Sequence, residues 1–541
     1  MPQTVAILGG GVAGLSAAHE LAERGFQVRV YERKPVMGGK ARSIPVANSG
    51  INGRQPLPGE HGFRFFPGFY KHVTDTMRRI PFGEHGNAFD NLTVATRILL
   101  ARAGQAEITW VARCPTTLED LRAFLMELFT PLGVPLDETA YFVSRLLLVA
   151  TSCAQRRLEE YENIAWWDFI AATKMSSAYQ TDLGQGLTRS LVAMRAEESS
   201  TRTVGCTQLQ LLYGLICPDQ VFDRLLSGPT NDVWITPWTQ YLQKLGVEFF
   251  PGTRVVGFEM NGQRVTSTTV ETATGPSSIT ADFYIAALPT EVMAALVTDD
   301  LKRAAPSLAN LDKLKTRWMN GIQFYLSKDE PLVNGHAIYL NSPWALTSIS
   351  QHQFWANIDL SQYGDGRVGG ILSVDVSDWD APGVVYGKPA TECTATQIKE
   401  EVWTQLKQHL NVGGAVPIDD ANLLSWFLDP DIEFPNPGQA TNAEPLLINT
   451  AGSLQYRPEA QVELENFFVA SDYVRTYTDI ACMEAANEAA RRAVNCLLAV
   501  SGSSAQPVQL WPLEEPDFLK PLQEIDRIRY SLHLQHQLES T

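Results

Sequence analysis

Long apolar runs are missing from this 541-residue chain. No uninterrupted stretch approaches the ~18–20 residues of a membrane span, and pieces such as Leu146 to Ala150 have only the length of a core helix segment. An excess of basic charge is missing as well. Lys and Arg number 43 against 60 Asp and Glu, a net charge of −17. That balance lacks the basic footprint of nucleic-acid binding and any strong pull toward anionic lipid; it leaves hydrophobic contact with a membrane surface open. Cysteine is scarce, odd in number and scattered, at Cys114, Cys153, Cys206, Cys217, Cys393, Cys482 and Cys496. No C-x-x-C or Cys/His cluster occurs, so neither a disulfide framework nor a structural metal site is expected, and the thiols read as reduced and mostly buried. Internal repeats and low-complexity tracts are lacking too. The first apolar segment begins within five residues of Met1, so no secretory leader is expected. The predicted location is cytoplasmic, with peripheral membrane attachment left open. What is present is globular in proportion, 45% hydrophobic and 19% charged, and long enough for two or three domains' worth of core.

The stretch around which the rest is organised lies at the start. Val5 to Leu8 is an all-apolar run suited to a buried parallel strand. Gly9, Gly11 and Gly14 follow as G-x-G-x-x-G, with Ala13 inside the turn. Gly9 suits the tight turn, Gly11 lets backbone approach a pyrophosphate, and Gly14 lets the helix lie close on the strand. Leu15, Ala18, Leu21 and Ala22 repeat at helical spacing, and Gly25 is a fitting stop. Gln27 to Tyr31 then reads as a second strand with Glu32 at its end, where a carboxylate can accept bonds from both ribose hydroxyls. The free N–H groups of the helix N-terminus favour phosphate.

Glu32-Arg-Lys34-Pro-Val-Met-Gly38-Gly39-Lys40-Ala-Arg42-Ser43 resembles the second half of the fingerprint of glutathione-reductase-2-like FAD flavoproteins, among them flavin amine oxidases and carotenoid desaturases. The resemblance implies non-covalently bound FAD, with Gly9, Gly11, Ala13, Gly14, Glu32, Lys34, Gly39, Lys40, Arg42 and Ser43 at the cofactor. Lys40 stands where the family usually has Arg, which keeps the charge and loses the planar fork; Arg42 is placed to compensate. After a loop at residues 44–58, rich in Pro, Gly and Asn, comes Gly59-Glu60-His61-Gly62-Phe63-Arg64-Phe65-Phe66-Pro67-Gly68-Phe69-Tyr70. This resembles a segment of phytoene and zeta-carotene desaturases of the plant and cyanobacterial type and of hydroxysqualene dehydroxylases, whose backbone crosses the flavin. It implies that Gly62, Phe63 and Arg64 lie at the cofactor. Arg64 replaces the usual His, and with His61 it is the candidate for polar assistance in catalysis.

Helical spacing is predicted over Leu118 to Phe129, Asp137 to Glu162, Trp166 to Ala172 and Cys206 to Cys217. Trp166 and Trp167 are read chiefly as core. From Trp234 the chain reads as helix, Gly246 stop and strands, with a further strand over Ile279 to Pro289. The resemblance places the Val256 backbone against adenine. Trp318 to Leu326 and Gly370 to Val376 read as strands, Val402 to Leu410 as an amphipathic helix, and His336 to Trp355 is dense in aromatic and polar groups. In relatives a similar sheet floors the substrate cavity, which implies Trp344 and Trp355 as cavity walls. Asn466 to Arg475 followed by Cys482 to Arg492 resembles the family's strand, Ala-Gly-Asp, loop and helix. It implies Asp472 on the ribityl or pyrophosphate and Met483 at a helix N-terminus facing the flavin. Ser471 stands for the usual Gly, and Asn487 and Glu488 for small residues. The tail carries Ile525, Ile528, Leu532 and Leu534 at partly amphipathic spacing, expected to dock on the body of the protein.

The expected fold is α/β: a discontinuous Rossmann-like FAD-binding domain of glutathione-reductase-2 type, with an α+β substrate domain containing a mixed or antiparallel sheet and a helical cap. The FAD-binding domain is expected from residues 1–75, 226–300 and 456–502. The cap and substrate domain are expected from 76–225 and 301–455, followed by a tail at 503–541. The resemblance implies an FAD-dependent desaturase or dehydrogenase acting by hydride transfer to flavin N5. Its substrate would be an isoprenoid, carotenoid-like or other long apolar molecule, with a quinone, oxygen or another acceptor taking the electrons. Three alternatives stand beside it. One is an amine oxidase, which needs an aromatic cage and usually a lysine near N5, for which Lys313 and Lys315 are available. The second is a reduced-flavin isomerase or dehydroxylase, and the third a non-catalytic FAD-bound subunit.

Overall fold

The computed structural model describes residues 2–105, 115–216 and 221–539. Cys114 and Cys217, the latter also the end of the apolar patch from Cys206, lie outside the described residues. The elements that position the site are, in chain order, β1 (Thr4–Leu8), α1 (Val12–Ala22), β2 (Gln27–Glu32), β3 (Arg97–Ala101), α2 (Leu136–Thr151), α3 (Thr201–Ile216), β4 (Glu248–Pro251) and β5 (Phe283–Ala286). They continue with β6 (Asn320–Leu326), β7 (Gly335–Tyr339), β8 (Thr347–Ser350), β9 (Gly370–Val376), α4 (Ala395–Leu410), β10 (Leu423–Leu428), β11 (Phe467–Val469), α5 (Met483–Ser501) and α6 (Lys520–Ser531).

Two sheets frame the molecule. The first is parallel throughout, in the order β4-β2-β1-β5-β11. Its strands come from five separated stretches, and Val5, Ile7, Leu8 and Val30 at its centre are fully buried, the burial that continuous apolar runs provide in parallel sheets. The helices α1 and α5 cover one face, and their contact explains an oddity of the sequence. Asn487 donates to Ser16 Oγ (2.8 Å) and Thr76 Oγ1 (3.0 Å) and accepts from Arg491 Nε (2.8 Å). Glu488 accepts from the Tyr477 amide (2.8 Å). The polar residues where small ones were expected are buried and partnered, as interior polar groups must be.

The second sheet is mixed, in the order β10-β6-β9-β8-β7-β3, antiparallel except for the β7–β3 pair. Alternation along β9 turns Leu372, Val374 and Val376 toward a core shared with α4 and leaves Ser373 and Asp375 on the other face. A helical layer centred on α2 and α3 forms its own core, with Leu125, Phe142, Leu146, Trp166 and Leu209 buried.

Three expected elements differ. The helix predicted over Asp137 to Glu162 breaks after Thr151, because Ser152 is extended and its Oγ turns back to the Leu148 carbonyl (2.6 Å). The Ile279 to Pro289 strand is split, Ile279 ending a three-stranded antiparallel sheet and β5 joining the parallel one. The tail does dock, but not by its apolar row. Asp526 is fully buried and accepts from the Cys153 amide (2.9 Å) and Arg156 Nε (3.0 Å), whereas Ile525, Ile528, Leu532 and Leu534 are 46–61% exposed. Among the described residues no helix is long and apolar enough to cross a membrane.

Candidate functional site

The glycines of the first turn divide the work. A Cβ on Gly14 would sit 1.9 Å from the Gly9 carbonyl oxygen, so glycine there is required by the close approach of α1 to β1. Gly9 has φ of +111°, and a Cβ on it would meet the Ala287 carbonyl at 2.4 Å. Gly11 is different. Its φ is an ordinary −76°, and a Cβ on it would touch only Gly39 Cα, at 3.7 Å. Nothing in the protein demands glycine there; the open space above it does, and it belongs to a cavity of about 680 Å³. The bare backbone turn, the N-terminus of α1 and the acid at the end of β2 form a cradle for a dinucleotide. Glu32 lines it, its carboxylate aimed by the Gly10 and Lys34 amides, both at 2.8 Å.

The Gly59 to Tyr70 segment crosses the cavity opposite this turn. Arg64 lines it, and its guanidinium donates to the carbonyls of Gly62, Phe63 and Lys40. It therefore ties the fingerprint loop to the crossing segment. His61 also lines the cavity, with Nδ1 2.7 Å from Asp429 Oδ2. Burial opposes its charge, but Asp429, Asp431 and Glu444 raise it to about 9. Both side chains are held in place, Arg64 clamped on three carbonyls and His61 paired with Asp429, an arrangement that suits positioning. Beneath them Glu60 accepts from the Thr230 amide (2.9 Å) and Thr230 Oγ1 (3.0 Å), while burial, partly offset by Arg64 and Thr230, pushes it up to about 7.

An ion cluster joins the fingerprint loop to the substrate-side chain. Lys34 Nζ lies 2.6 Å from Asp431 Oδ1. Arg42 pairs with Asp431 and, at 2.8 Å, with Glu444, which also takes Arg33 at 2.7 Å. Burial works against ionisation of Asp431, yet His61, Lys34 and Arg42 hold its carboxyl far below the usual range. Ligand atoms of His61, Asp429 and Asp431 lie within 4.8 Å of one another. Arg42 and Lys34 neutralise that group, so it reads as a buried ion-pair cluster.

The other predicted residues fall into two sets. Gly9, Gly11, Ala13, Glu32, Gly39, Lys40, Gly62, Phe63, Val256, Asp472 and Met483 line the cavity with His61 and Arg64. Met483 opens the 19-residue α5, whose N-cap Cys482 accepts from the Ala485 amide through its sulfur (3.4 Å), so the helix N-terminus faces the cavity. Six of the predicted residues are not among those that line the cavity. Lys34 and Arg42 turn into the ion cluster. Ser43 bonds Asn231 on both sides, at 2.7 Å each. Gly14 acts behind the turn. Neither Trp344 nor Trp355 is among the cavity-lining residues. Both are fully buried, Trp344 donating to the Ala381 carbonyl, because the aromatic stretch packs into two cores on either side of the second sheet. Sequence reasoning missed Asp375, Met319, Leu211 and Ile480, which do line it. Only the alternation of β9 hinted at Asp375.

Comparison with known proteins agrees with this geometry. The family model described as flavin containing amine oxidoreductase matches residues 12–498. Zeta-carotene desaturase of Synechocystis sp. is 21% identical over 545 residues, covering 92% of this chain and 97% of that protein. A carotenoid phi-ring synthase of Chlorobaculum tepidum is 40% identical over 70 residues, 13% of this chain and 10% of that one. Among solved structures, putrescine oxidase bound to putrescine superposes with a TM-score of 0.60 at 13% identity, covering 92% of this chain and 99% of that one. Cyclohexylamine oxidase from Brevibacterium oxydans gives 0.60 at 12% identity, covering 93% and 99%. At such identities the structural likeness speaks to the fold alone.

Proposed function

The chain belongs to the flavin-containing amine oxidoreductase family, and on that premise we propose that it binds FAD non-covalently and dehydrogenates an isoprenoid, carotenoid-like or other long apolar substrate. The carrying observation is the make-up of the cavity. Phe65, Phe69, Leu211, Met319, Leu446 and Ile480 contribute apolar surface to it, and its one lysine among the described lining residues is Lys40, on the fingerprint loop. The lysines an amine oxidase could use are elsewhere, Lys313 over the Tyr456 ring and Lys315 on Glu198 at 3.0 Å.

FAD fits the residues present. Gly11 leaves room for the pyrophosphate, Glu32 is aimed for the ribose, Asp472 is available to the ribityl or phosphate, and the N-terminus of α5 favours negative charge on the ring. When bound, the flavin supplies a two-electron acceptor. Cys482 faces the cavity, and burial pushes its thiol up to about 12, which disfavours the thiolate that a thioether link to the flavin would need. Arg64 and the ion cluster hold the walls; the apolar side chains exclude water and align the chain of the substrate. A quinone or oxygen re-oxidises the cofactor, and the exposed apolar row of the tail gives a surface for peripheral membrane contact, where such substrates dissolve.

One observation favours a second reading: the buried carboxylate of Asp375 would suit an amine cation. Anaerobic mixing of the yellow protein with polyenes in detergent, and separately with soluble amines, separates the two. Bleaching of the flavin by a polyene supports the proposal; bleaching by amines alone replaces it with an amine oxidase.

A further inference from the structure

A second buried charge group lies where the helical layer meets the loop between β11 and α5. Its centre is Asp479, which is buried. Oδ1 of its carboxylate takes Arg457 Nη1. Oδ2 takes Arg202 Nη2 and accepts from Thr203 Oγ1 at 2.9 Å. The two arginines belong to different walls of the cavity. The guanidinium of Arg457 also donates to the carbonyls of Tyr473 (2.9 Å), Asp472 (3.0 Å) and Val474 (2.7 Å). It thus grips the loop that carries Asp472 and leads to Met483, both on the cavity. Arg202 and Thr203 lie in the first turn of α3, where Arg202 Nε is also held by Glu162 at 3.0 Å. Thr203, Thr207 and Leu211 follow at four-residue spacing on one face of that helix, and Thr207 and Leu211 line the cavity. Ile480, next to Asp479, lines it too and is buried in the core of the helical layer. One carboxylate therefore joins the loop to the cavity-facing side of α3, across 276 and 277 positions of sequence. Asp479, Arg202, Thr203 and Arg457 themselves are not among the lining residues.

We propose that Asp479 is the positioning residue that sets the spacing between the substrate wall on α3 and the flavin wall at residues 471–483. The inference rests on the reading of the cavity as the site of an FAD-dependent dehydrogenation. A long apolar substrate offers few polar groups by which a site can orient it. Its distance from the flavin is then set by how closely the opposing walls are held. Leu211 and Ile480 are apolar, and contacts between such side chains are not directional. A carboxylate bound by two guanidinium groups and a hydroxyl is directional, and shifting it would strand charges in a buried setting. Glu162 extends the grip. It accepts from Ser200 Oγ at 2.7 Å and from the Leu454 amide at 3.0 Å, tying the start of α3 to the chain that leads into Arg457. A buried ion group of this kind adds little net stability over an apolar replacement; here it gives α3 and the flavin loop a single register.

The test cuts only the α3 side of the junction, in the FAD-loaded protein. Arg202→Met removes that cation, while Arg457 keeps both Asp479 and its three carbonyls, so the variant should hold FAD at the wild-type stoichiometry. Anaerobic bleaching by a saturating polyene should slow by about a hundredfold, the scale of a misplacement of about 1 Å. The polyene concentration that gives half the maximal rate should change little. A merely structural role would lower the melting temperature and leave the bleaching rate, measured well below it, at the wild-type value. Arg202→Lys keeps the charge and should bleach close to the wild-type rate. Should Arg202→Met fail to fold or to keep FAD, Thr203→Val removes one hydroxyl from the same junction and should slow bleaching about fivefold, the worth of one hydrogen bond; an unchanged rate there overturns the proposal. A folded, FAD-loaded Arg202→Met that bleaches at the wild-type rate overturns the role of Asp479 and leaves the proposed function standing. Wild type bleached by an amine and by no polyene overturns the substrate reading alone, and the same variants then test the junction with that amine. Wild type bleached by neither overturns both.

Discussion

The fingerprint wall of the cavity is held by backbone, and the opposite wall by charge. On the first, β1, α1 and β2 close around glycines whose missing side chains set the distances, and apart from the approach of Ala287 to Gly9 these contacts lie within about thirty residues. On the second, the chain after β10 reaches back with Asp429, Asp431 and Glu444 to grip His61, Lys34 and Arg42 across some 370–400 positions of sequence. The contrast shows how a discontinuous protein keeps one cavity in register. Local geometry builds the cradle, and a buried ion cluster fixes the substrate side against it.

The largest break should come from Gly14→Val. With a Cβ already 1.9 Å from the Gly9 carbonyl, α1 cannot lie on the sheet. The variant should lose native far-UV circular dichroism and accumulate insoluble; a soluble, native-like variant would contradict the backbone account. Arg42→Ala probes the other wall. It leaves Asp431 and Glu444 short of a buried partner, and a loss of ~3–5 kcal/mol is expected in urea denaturation. A loss under ~1 kcal/mol would mean the cluster is not what holds that wall.

His61 sharpens the charge account through pH. Its pKa is raised from 6.5 in the unfolded chain to about 9 in the fold. Its contribution is therefore fully present below about pH 6.5 and is lost as pH rises through about 9. The stability of wild type should fall across that window by ~3 kcal/mol more than that of His61→Gln, which has no proton to lose. Parallel curves would remove His61 from the ion cluster. The smallest effect belongs to Val256→Ala. If the contact there is made by backbone, FAD affinity should move by less than ~0.5 kcal/mol in equilibrium titration.

The same contrast governs what the sequence discloses. The turn at Gly9 to Gly14, Glu32 at the end of β2 and Met483 at the head of α5 were legible because their geometry follows from residues nearby. Lys34 and Arg42 were visible as charges, but their partners are 389 to 402 positions away, and no local spacing names them. Trp344 and Trp355 were misread because an aromatic run suits a core as well as a cavity, and only the packing of the second sheet decides. In the tail the apolar row suggested the docking face, yet the buried pairing of Asp526 with Arg156 outweighs it and turns that row outward. Asp375 sits in a strand whose apolar alternation is clear, and its polar face acquires meaning only once Gly62 and Gly321 are brought together.

The most direct measurement is the flavin content of Gly11→Val. A Cβ at this position meets nothing in the protein closer than 3.7 Å, so the chain should fold with wild-type circular dichroism and melting. The added side chain would fill the space assigned to the pyrophosphate. The account predicts a folded, colourless protein that does not take up FAD on reconstitution. A folded variant carrying FAD at the wild-type stoichiometry would contradict it.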